Sequence, residues 1–287
     1  MAGQLKVGFL GYGTRGLDAL MTHPDFQVNY FFAPRTRICQ DVRDARERYR
    51  GRFQYAEVEN NRDLAARFAQ ARDVDCFVMN ACPIILNQEV LDRMDVFNIH
   101  PGNLENNRGH HPHLWTVLLG ETASRITLHA VNCRIDDGVV IKSVEEAISP
   151  EDSAGDVLNK LEDHIPELLD ALYAYRTGSV TTPERVIHGG GYRRPMTYSD
   201  YEIHPDTDDA ATAKRKILAR SMHHGAFVAE SGARYYVDRI LGTAPAAEQG
   251  PAVRVDRQAG TVSVRLKQEA VLFHLGKIEI QNRGEAR

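Results

Sequence analysis

"KVGFLGYGTRGLDAL", Lys6 to Leu20, decides the fold. An apolar run ends in a turn carrying Gly11, Gly13 and Gly16 and passes directly into a helix-like run that Pro24 must stop. Strand, tight turn and helix in that order open a doubly wound α/β sheet. The same G-x-G-x-x-G spacing fits a dinucleotide-binding turn. That reading requires an acidic residue about 20 positions on, at the end of the second strand, to hold the ribose hydroxyls. The second strand, "VNYFFA", instead delivers Ala33, Pro34 and Arg35 there. An arginine tolerates a 2′-phosphate, so NADP stays open. A purely structural turn also accounts for the glycines, because the backbone bends sharply and packs closely.

Working outward, "TRICQDVRDARERY" places Ile38, Val42, Ala45 and Tyr49 on one helical face and arginines on the other. "NRDLAARFAQAR" reads as a helix, "VDCFVM" as a strand, "NQEVLDRM" as a short helix and "VFNI" as a strand. Alternation of this kind predicts a mainly parallel sheet covered on both faces. "RITLHAVNC" and "GVVIKSVEEA" read as a hairpin added to it, turned at Asp136-Asp137-Gly138. A long helix is expected from about Ser153 to Arg176, with Val157, Leu161, Ile165, Leu168 and Leu172 inward and a kink at Pro166. After Gly178 the texture changes to a linker rich in Gly, Pro, Thr and Arg. A helix at "AATAKRKILARSM" follows, then the short strands "ARYYVDRIL", "AVRVD", "TVSVRL" and "AVLFHLGKI". The expected architecture is a Rossmann-like, mainly parallel α/β sheet over 1–180, a linker over 181–205 and a small OB-like β-barrel over 206–287.

The 35 basic and 39 acidic residues leave a net charge of -4, which argues against a chain-wide nucleic-acid or membrane surface. Cys39, Cys76, Cys82 and Cys133 form no C-x-x-C pair and read as reduced thiols. The first residues run straight into a strand pattern, and no apolar stretch is long enough to span a bilayer. The expectation is a cytoplasmic chain with neither leader nor membrane segment.

Chemistry concentrates in "VFNIHPGNLENNRGHHPHLWTVLLGETASRITLHAVNCRIDDGVVI", Val96 to Ile141. Asn98 and His100 are two apart at a strand's C-terminal end, so they point the same way, at the edge where open α/β sheets bind ligands. Asp136 lies in the turn after the next strand. An amide to stabilise an oxyanion, an imidazole to handle a proton and a carboxylate to orient and charge the imidazole suit acyl transfer to an amine. Zinc needs three or four converging ligands, so His110, His111 and His113 read as a polar loop and no metal is expected. His223 and His224 read as helix-end residues, and Trp115 as a helix core residue. His129 is open between facing the site and packing the hairpin. The arginines from Arg43 to Arg52 read as a solvated helix face, with a grip on an anionic substrate as the alternative.

The segment resembles the folate-dependent formyltransferases, whose pattern is N-x-H, a loop ending R-G-x-x-P, then T-x-H and D-x-G. Here these are Asn98-Ile99-His100, Arg108-Gly109-His110-His111-Pro112, Thr127-Leu128-His129 and Asp136-Asp137-Gly138. The likeness covers about residues 5 to 180 and extends weakly into the tail. It implies formyl transfer from 10-formyltetrahydrofolate with Asn98, His100 and Asp136 as catalytic residues, and an opening glycine turn that holds no NAD(P). "NACPIILNQEVL", Asn80 to Leu91, resembles the stretch whose backbone meets the pterin ring, with Cys82, Pro83 and Asn87 in place of the usual Tyr, Gly and Pro. Glu105 likewise stands where the loop usually has Pro. The implied folate residues are Pro83, Ile84, Ile85, Leu86, Ile135 and Asp137; Gly102, Arg108 and Gly109 are implied on the acceptor side. D-x-G spacing selects Asp136 to face His100, and Asp137 is expected to face solvent or cap its own turn.

No Gly/Lys/Arg-rich loop follows the second strand and the tail is not strongly basic, so a small-molecule amine, an amino sugar or an amino-acid derivative, is favoured as acceptor over tRNA. Methionyl-tRNA formylation, formyltetrahydrofolate hydrolysis, an NADP oxidoreductase and a non-catalytic folate- or nucleotide-binding protein are the alternatives. Oligomeric state is left open.

Overall fold

The computed structural model describes residues 3–180, 185–187, 191–223, 225–245, 251–267 and 269–280. Parts of the expected linker (181–184 and 188–190) and His224 lie outside the described residues. In chain order the elements are β1 (Leu5–Gly11), α1 (Thr14–Thr22), β2 (Phe26–Pro34), α2 (Gln40–Arg48), β3 (Gln54–Val58), α3 (Asn61–Gln70), β4 (Cys76–Asn80), α4 (Gln88–Leu91), β5 (Val96–His100), β6 (Arg108–Gly109), α5 (Pro112–Leu119), β7 (Ala123–Ala130) and β8 (Gly138–Ala147). Then come α6 (Ala154–Glu162), α7 (Ile165–Arg176), β9 (Arg185–Ile187), β10 (Tyr192–Arg193), α8 (Tyr198–Tyr201), α9 (Ala210–Ala219), β11 (Ala226–Glu230), β12 (Ala233–Pro245), β13 (Val253–Asp256), β14 (Thr261–Arg265) and β15 (Glu269–Ile280).

One sheet has the order β3-β2-β1-β4-β5-β7-β8-β9. β1 pairs in parallel with β2 and β4, β2 with β3, and β4 with β5. β7 runs antiparallel to β5, and β9 to β8. β4 and β5 are buried at every residue, as strands covered on both faces must be. One layer of the core gathers Phe32, Phe68 and Phe77, with Phe68 and Phe77 ring centroids 4.4 Å apart. β3 went unread in the sequence because "QYAEV" neither alternates cleanly nor forms an apolar run; it is the sheet's edge, where one flank needs no partner. The helix expected over Ser153–Arg176 is two helices, broken between Glu162 and Ile165, with Pro166 in the first turn of the second. A proline costs no hydrogen bond there, so it starts α7 instead of kinking a longer helix.

The glycine turn has a packing cause. A Cβ on Gly13 would stand 1.9 Å from Asn80 Oδ1, and one on Gly11 would stand 1.9 Å from the Asn80 carbonyl oxygen. Gly11 also has φ +142°. The Tyr12 and Gly13 amides donate to the carbonyls of Ala81 and Asn80 at 3.2 Å each. The turn is thus closed onto the end of β4.

A second, antiparallel sheet has the order β11-β12-β15-β14-β13. Its barrel-like bend accompanies register shifts along β12 and β15, and Phe273, Val228, Val237, Val262 and Ile217 fill its core. The chain separates into two compact units, each discontinuous. One comprises Met1–Pro112, Ser124–Glu146 and Asn159–Arg193; the other comprises His113–Ala123, Ala147–Leu158 and Arg194–Arg287. Among the described residues no helix is long and apolar enough to cross a membrane.

Candidate active site

Register sets the site. Asn98 on β5 lies opposite His129 on β7, and His100 lies opposite Thr127, so the alternating residues of two neighbouring strands share one face at the C-terminal end of β5. All four are buried, Asn98 at 7% and His100 at 5% exposure. The loop from β7 to β8 brings Asp136 over them. Asn98 Nδ2 donates to Asp136 Oδ1 at 3.2 Å, and His100 Nδ1 lies 3.5 Å from Asp136 Oδ2. The Gly109 amide donates to Asp136 Oδ2 at 2.8 Å. Of the three residues assigned to catalysis, Asp136 therefore contacts both of the others.

Each nitrogen of His100 has an acceptor. Nε2 donates to the Asn107 carbonyl at 3.0 Å, and Nδ1 faces the Asp136 carboxylate. An imidazolium satisfies both; a neutral ring leaves one lone pair facing an acceptor. Burial alone pushes the Asp136 carboxyl up, but the His100 and His129 rings and the Gly109 amide outweigh it and hold Asp136 well below the usual carboxylate range.

His129, left open in the sequence, belongs to this cluster. Its Nδ1 donates to the Ala130 carbonyl at 3.2 Å, and its Nε2 lies 3.2 Å from Asn98 Nδ2 and 3.6 Å from Asp136 Oδ1. Sequence reading missed Asn107 and Thr127 as supports. Asn107, 1% exposed, offers its carbonyl to His100 while its Nδ2 donates to Pro112 O at 3.0 Å. Thr127 Oγ1 donates to Gly102 O at 3.0 Å. The T-x-H alternation was the signal for Thr127; nothing local marked Asn107.

Of the implied acceptor-side residues, Gly102 backs the imidazole: a Cβ there would stand 2.7 Å from His100 Nε2. Gly109 supplies the amide just described. Arg108 is buried at 6% exposure, and its Nε donates to Leu104 O at 2.7 Å. Its Nη2 meets Asp137 Oδ1 at 3.3 Å. Asp137 is a correction in exposure: it does not face solvent but is 2% exposed and paired with Arg108 and, at 3.4 Å, with Arg134. A buried carboxylate is costly unless paired, and the guanidiniums supply the pairing.

The implied folate residues lie on two loops. In the loop after β4, Ile84 packs partly on the core, Leu86 is buried and Ile85 is 56% exposed. Cys82 and Pro83 precede them, and burial pushes the Cys82 thiol up to about 12, which removes it as a nucleophile. Ile135, 36% exposed, is on the Asp136 loop. Exposed apolar side chains of this size are what a flat ring system can cover. Among the described residues no group of three His, Cys, Asp or Glu side chains is placed to hold a metal ion.

Comparison with known proteins now bears on this geometry. Residues 32–171 match the formyl transferase family model. That stretch is a formyl transferase domain. It is 27% identical over 197 residues to the methionyl-tRNA formyltransferase of Bifidobacterium longum, covering 64% of this chain and 60% of that protein. It is 30% identical over 129 residues to the dTDP-4-amino-4,6-dideoxyglucose formyltransferase of Mycobacterium bovis, covering 44% and 55%. The chain thus spans about 60% of the length of the first of these curated relatives. A sugar N-formyltransferase from a Shewanella species has the same fold, with TM-score 0.62, 16% identity and coverage of 81% of this chain and 96% of that one. HypX from Aquifex aeolicus, solved with tetrahydrofolic acid, matches with TM-score 0.62 and 17% identity over 94% of this chain and 44% of its own. The expected fold class holds: a mainly parallel α/β sheet of the formyltransferase fold with a separate, smaller antiparallel sheet.

Proposed function

We propose that the chain transfers a formyl group from 10-formyltetrahydrofolate to the amine of a small molecule, an amino sugar or an amino-acid derivative. The observation that carries this reading is the convergence of Asn98, His100 and Asp136, with Asp136 3.2 Å from the amide and 3.5 Å from the imidazole. The folate supplies the formyl carbon: a bond forms from the acceptor nitrogen to it, the bond from N10 breaks, and the amine's proton ends on N10. Asn98 Nδ2 stabilises the charge developing on the formyl oxygen. Its two present contacts are both at 3.2 Å, long enough for an oxyanion to compete for one hydrogen. His100 carries the proton in transit, and Asp136, kept ionised, stabilises the charged ring. Ile84, Ile85 and Ile135, with the backbone at Pro83, Leu86 and Asp137, form the folate surface. Gly102, Arg108 and Gly109 act from the acceptor side, Arg108 by holding its loop.

A nicotinamide reading is disfavoured by the glycine turn, whose Tyr12 and Gly13 amides are spent on the chain's own carbonyls. Arg35, the residue that could meet a 2′-phosphate, lies 3.3 Å from Glu59 and 3.7 Å from Glu57. No metal enters the proposed reaction, and a cytoplasmic setting suits its folate donor. The relative from Mycobacterium supports the sugar-amine class, and the one from Bifidobacterium keeps tRNA as the alternative. The test is a screen of amines, methionyl-tRNA included, with 10-formyltetrahydrofolate, following tetrahydrofolate release. Formylation of a small amine is the expected result. Formylation of charged tRNA alone, falling steeply with salt, overturns the acceptor class. Release without any amine makes the chain a hydrolase.

A further inference from the structure

We infer that Asp137 is a positioning residue of the site: its buried ion pair with Arg108 clamps the Asp136 loop onto the Arg108-Gly109 segment and so aims the Asp136 carboxylate at His100. The inference rests on the formyl-transfer reading for its activity measurement only.

Asp136 has φ +44°, a left-handed backbone that few residues with a Cβ adopt. Two successive residues of its loop bind two successive residues of β6. Asp136 Oδ2 accepts from the Gly109 amide at 2.8 Å, and Asp137 Oδ1 accepts from Arg108 Nη2 at 3.3 Å. Arg108 is itself fixed through Nε to Leu104 O, so the clamp is anchored at its far end. Both partners of the pair are buried, with side chains 7% and 2% exposed. Arg134, 75% exposed, closes over the other oxygen of Asp137 and adds little in water. Gly138 completes the constraint on the loop's far side, where a Cβ would stand 2.6 Å from Ala130 O.

The pair also sets the charge around the site. Asp136 faces His100 and His129; Asp137 faces Arg108 and Arg134. With Arg108 in place, Asp137 adds no uncompensated charge beside Asp136. Removal of either partner frees the loop, and the two removals leave opposite charges behind.

The test uses the full-length chain as Asp137→Asn, Arg108→Gln and the double variant, with kcat, KM for folate and thermal melting measured alongside the NMR resonances of the His100 ring at one pH. Each single variant is expected to lose between about 10-fold and 100-fold in kcat with little change in KM, the scale of a reacting group displaced by about an ångström. The double variant is expected to lose no more than the worse single, because one clamp is broken once. The His100 ring resonances should shift in both single variants and no further in the double, because each change releases the Asp136 carboxylate from the ring. Folded variants that melt earlier but keep wild-type kcat and His100 resonances overturn the inference, since the pair is then only structural. So do single-variant losses that multiply. A wild-type chain that forms no product overturns the formyl-transfer reading, while the His100 resonances still decide the clamp.

Discussion

Asp136 holds its place against two costs, a left-handed backbone and a buried carboxylate. Both are met by specific partners, the Gly109 amide, the Asn98 amide and the His100 ring. Asp136→Asn keeps the shape and removes the charge, so turnover is expected to fall at least ~100-fold, the scale of losing a general acid–base partner, while folate affinity changes less. Steady-state kinetics check this. The same substitution has a pH signature in stability. The folded pKa lies below the unfolded value of about 3.9, so the stabilisation is present above that pH and is lost as pH falls through the folded value. The gap in urea midpoint between wild type and Asp136→Asn should hold level from pH 5 to 8, on the order of these pKa values, and shrink below about pH 4. A gap that closes between pH 6 and 8 would show that another group governs it. The three proposed catalytic residues were readable because alternation along β5 and the D-x-G spacing are local. Asp137 was misread because its burial depends on Arg108, 29 positions away, which no turn rule can see.

At the scale of elements, the glycine turn and the α6–α7 break show which signals the sequence carries. G-x-G-x-x-G announced a strand, turn and helix correctly, yet the cause of the glycines is Asn80, on a strand that follows much later. Gly13→Ala forces its methyl onto Asn80 Oδ1 and should destabilise by about 1–3 kcal/mol, the usual cost of overpacking. Asn80→Ala in the same chain should recover part of that loss, because the clashing amide is gone. Chemical denaturation of both variants measures it, and a double variant no more stable than Gly13→Ala would move the cause elsewhere. The α6–α7 break was illegible because inward residues continue in phase across it: Val157, Leu161, Ile165 and Leu168 are all buried. Near the break, burial pushes Glu162 up to about 7, against the opposing charge of Arg15. An acid with a raised folded pKa binds its proton more tightly when folded. Stability tied to it is therefore full below the unfolded value of about 4.3 and is lost as pH rises through 7. Glu162→Gln should match the wild type in melting near pH 3 and exceed it near pH 8, each on the order of one unit outside that window. An equal difference at both pH values would remove the buried proton as its cause.

At the scale of the whole molecule, the interleaving of the two units decides what can be cut away. Asn98, His100 and Asp136 all fall in the first unit, and we propose that the chemistry resides there. A contiguous division near residue 180 would nonetheless split the second unit, which takes His113–Ala123 and Ala147–Leu158 from the earlier part of the chain. Those segments are held by residues beyond the cut. Trp115 Nε1 donates to Arg194 O at 3.1 Å, and the Arg194 guanidinium lies 5.4 Å from the Trp115 ring. Arg215 donates to Leu118 O at 3.3 Å, and Lys214 pairs with Glu151. A chain ending at 180 loses all of these partners and uncovers an indole that is 8% exposed. Trp115 is the chain's single tryptophan, so its fluorescence reports this one place. The truncated chain is expected to show a red-shifted emission and a lower melting temperature than the full chain, since an apolar helix face returns to water. Folate binding should weaken in proportion to the unfolded fraction, not through loss of a contact. An unchanged emission maximum and an unchanged melt would mean that the first 180 residues fold by themselves, with α5 needing nothing from the segment after Arg193.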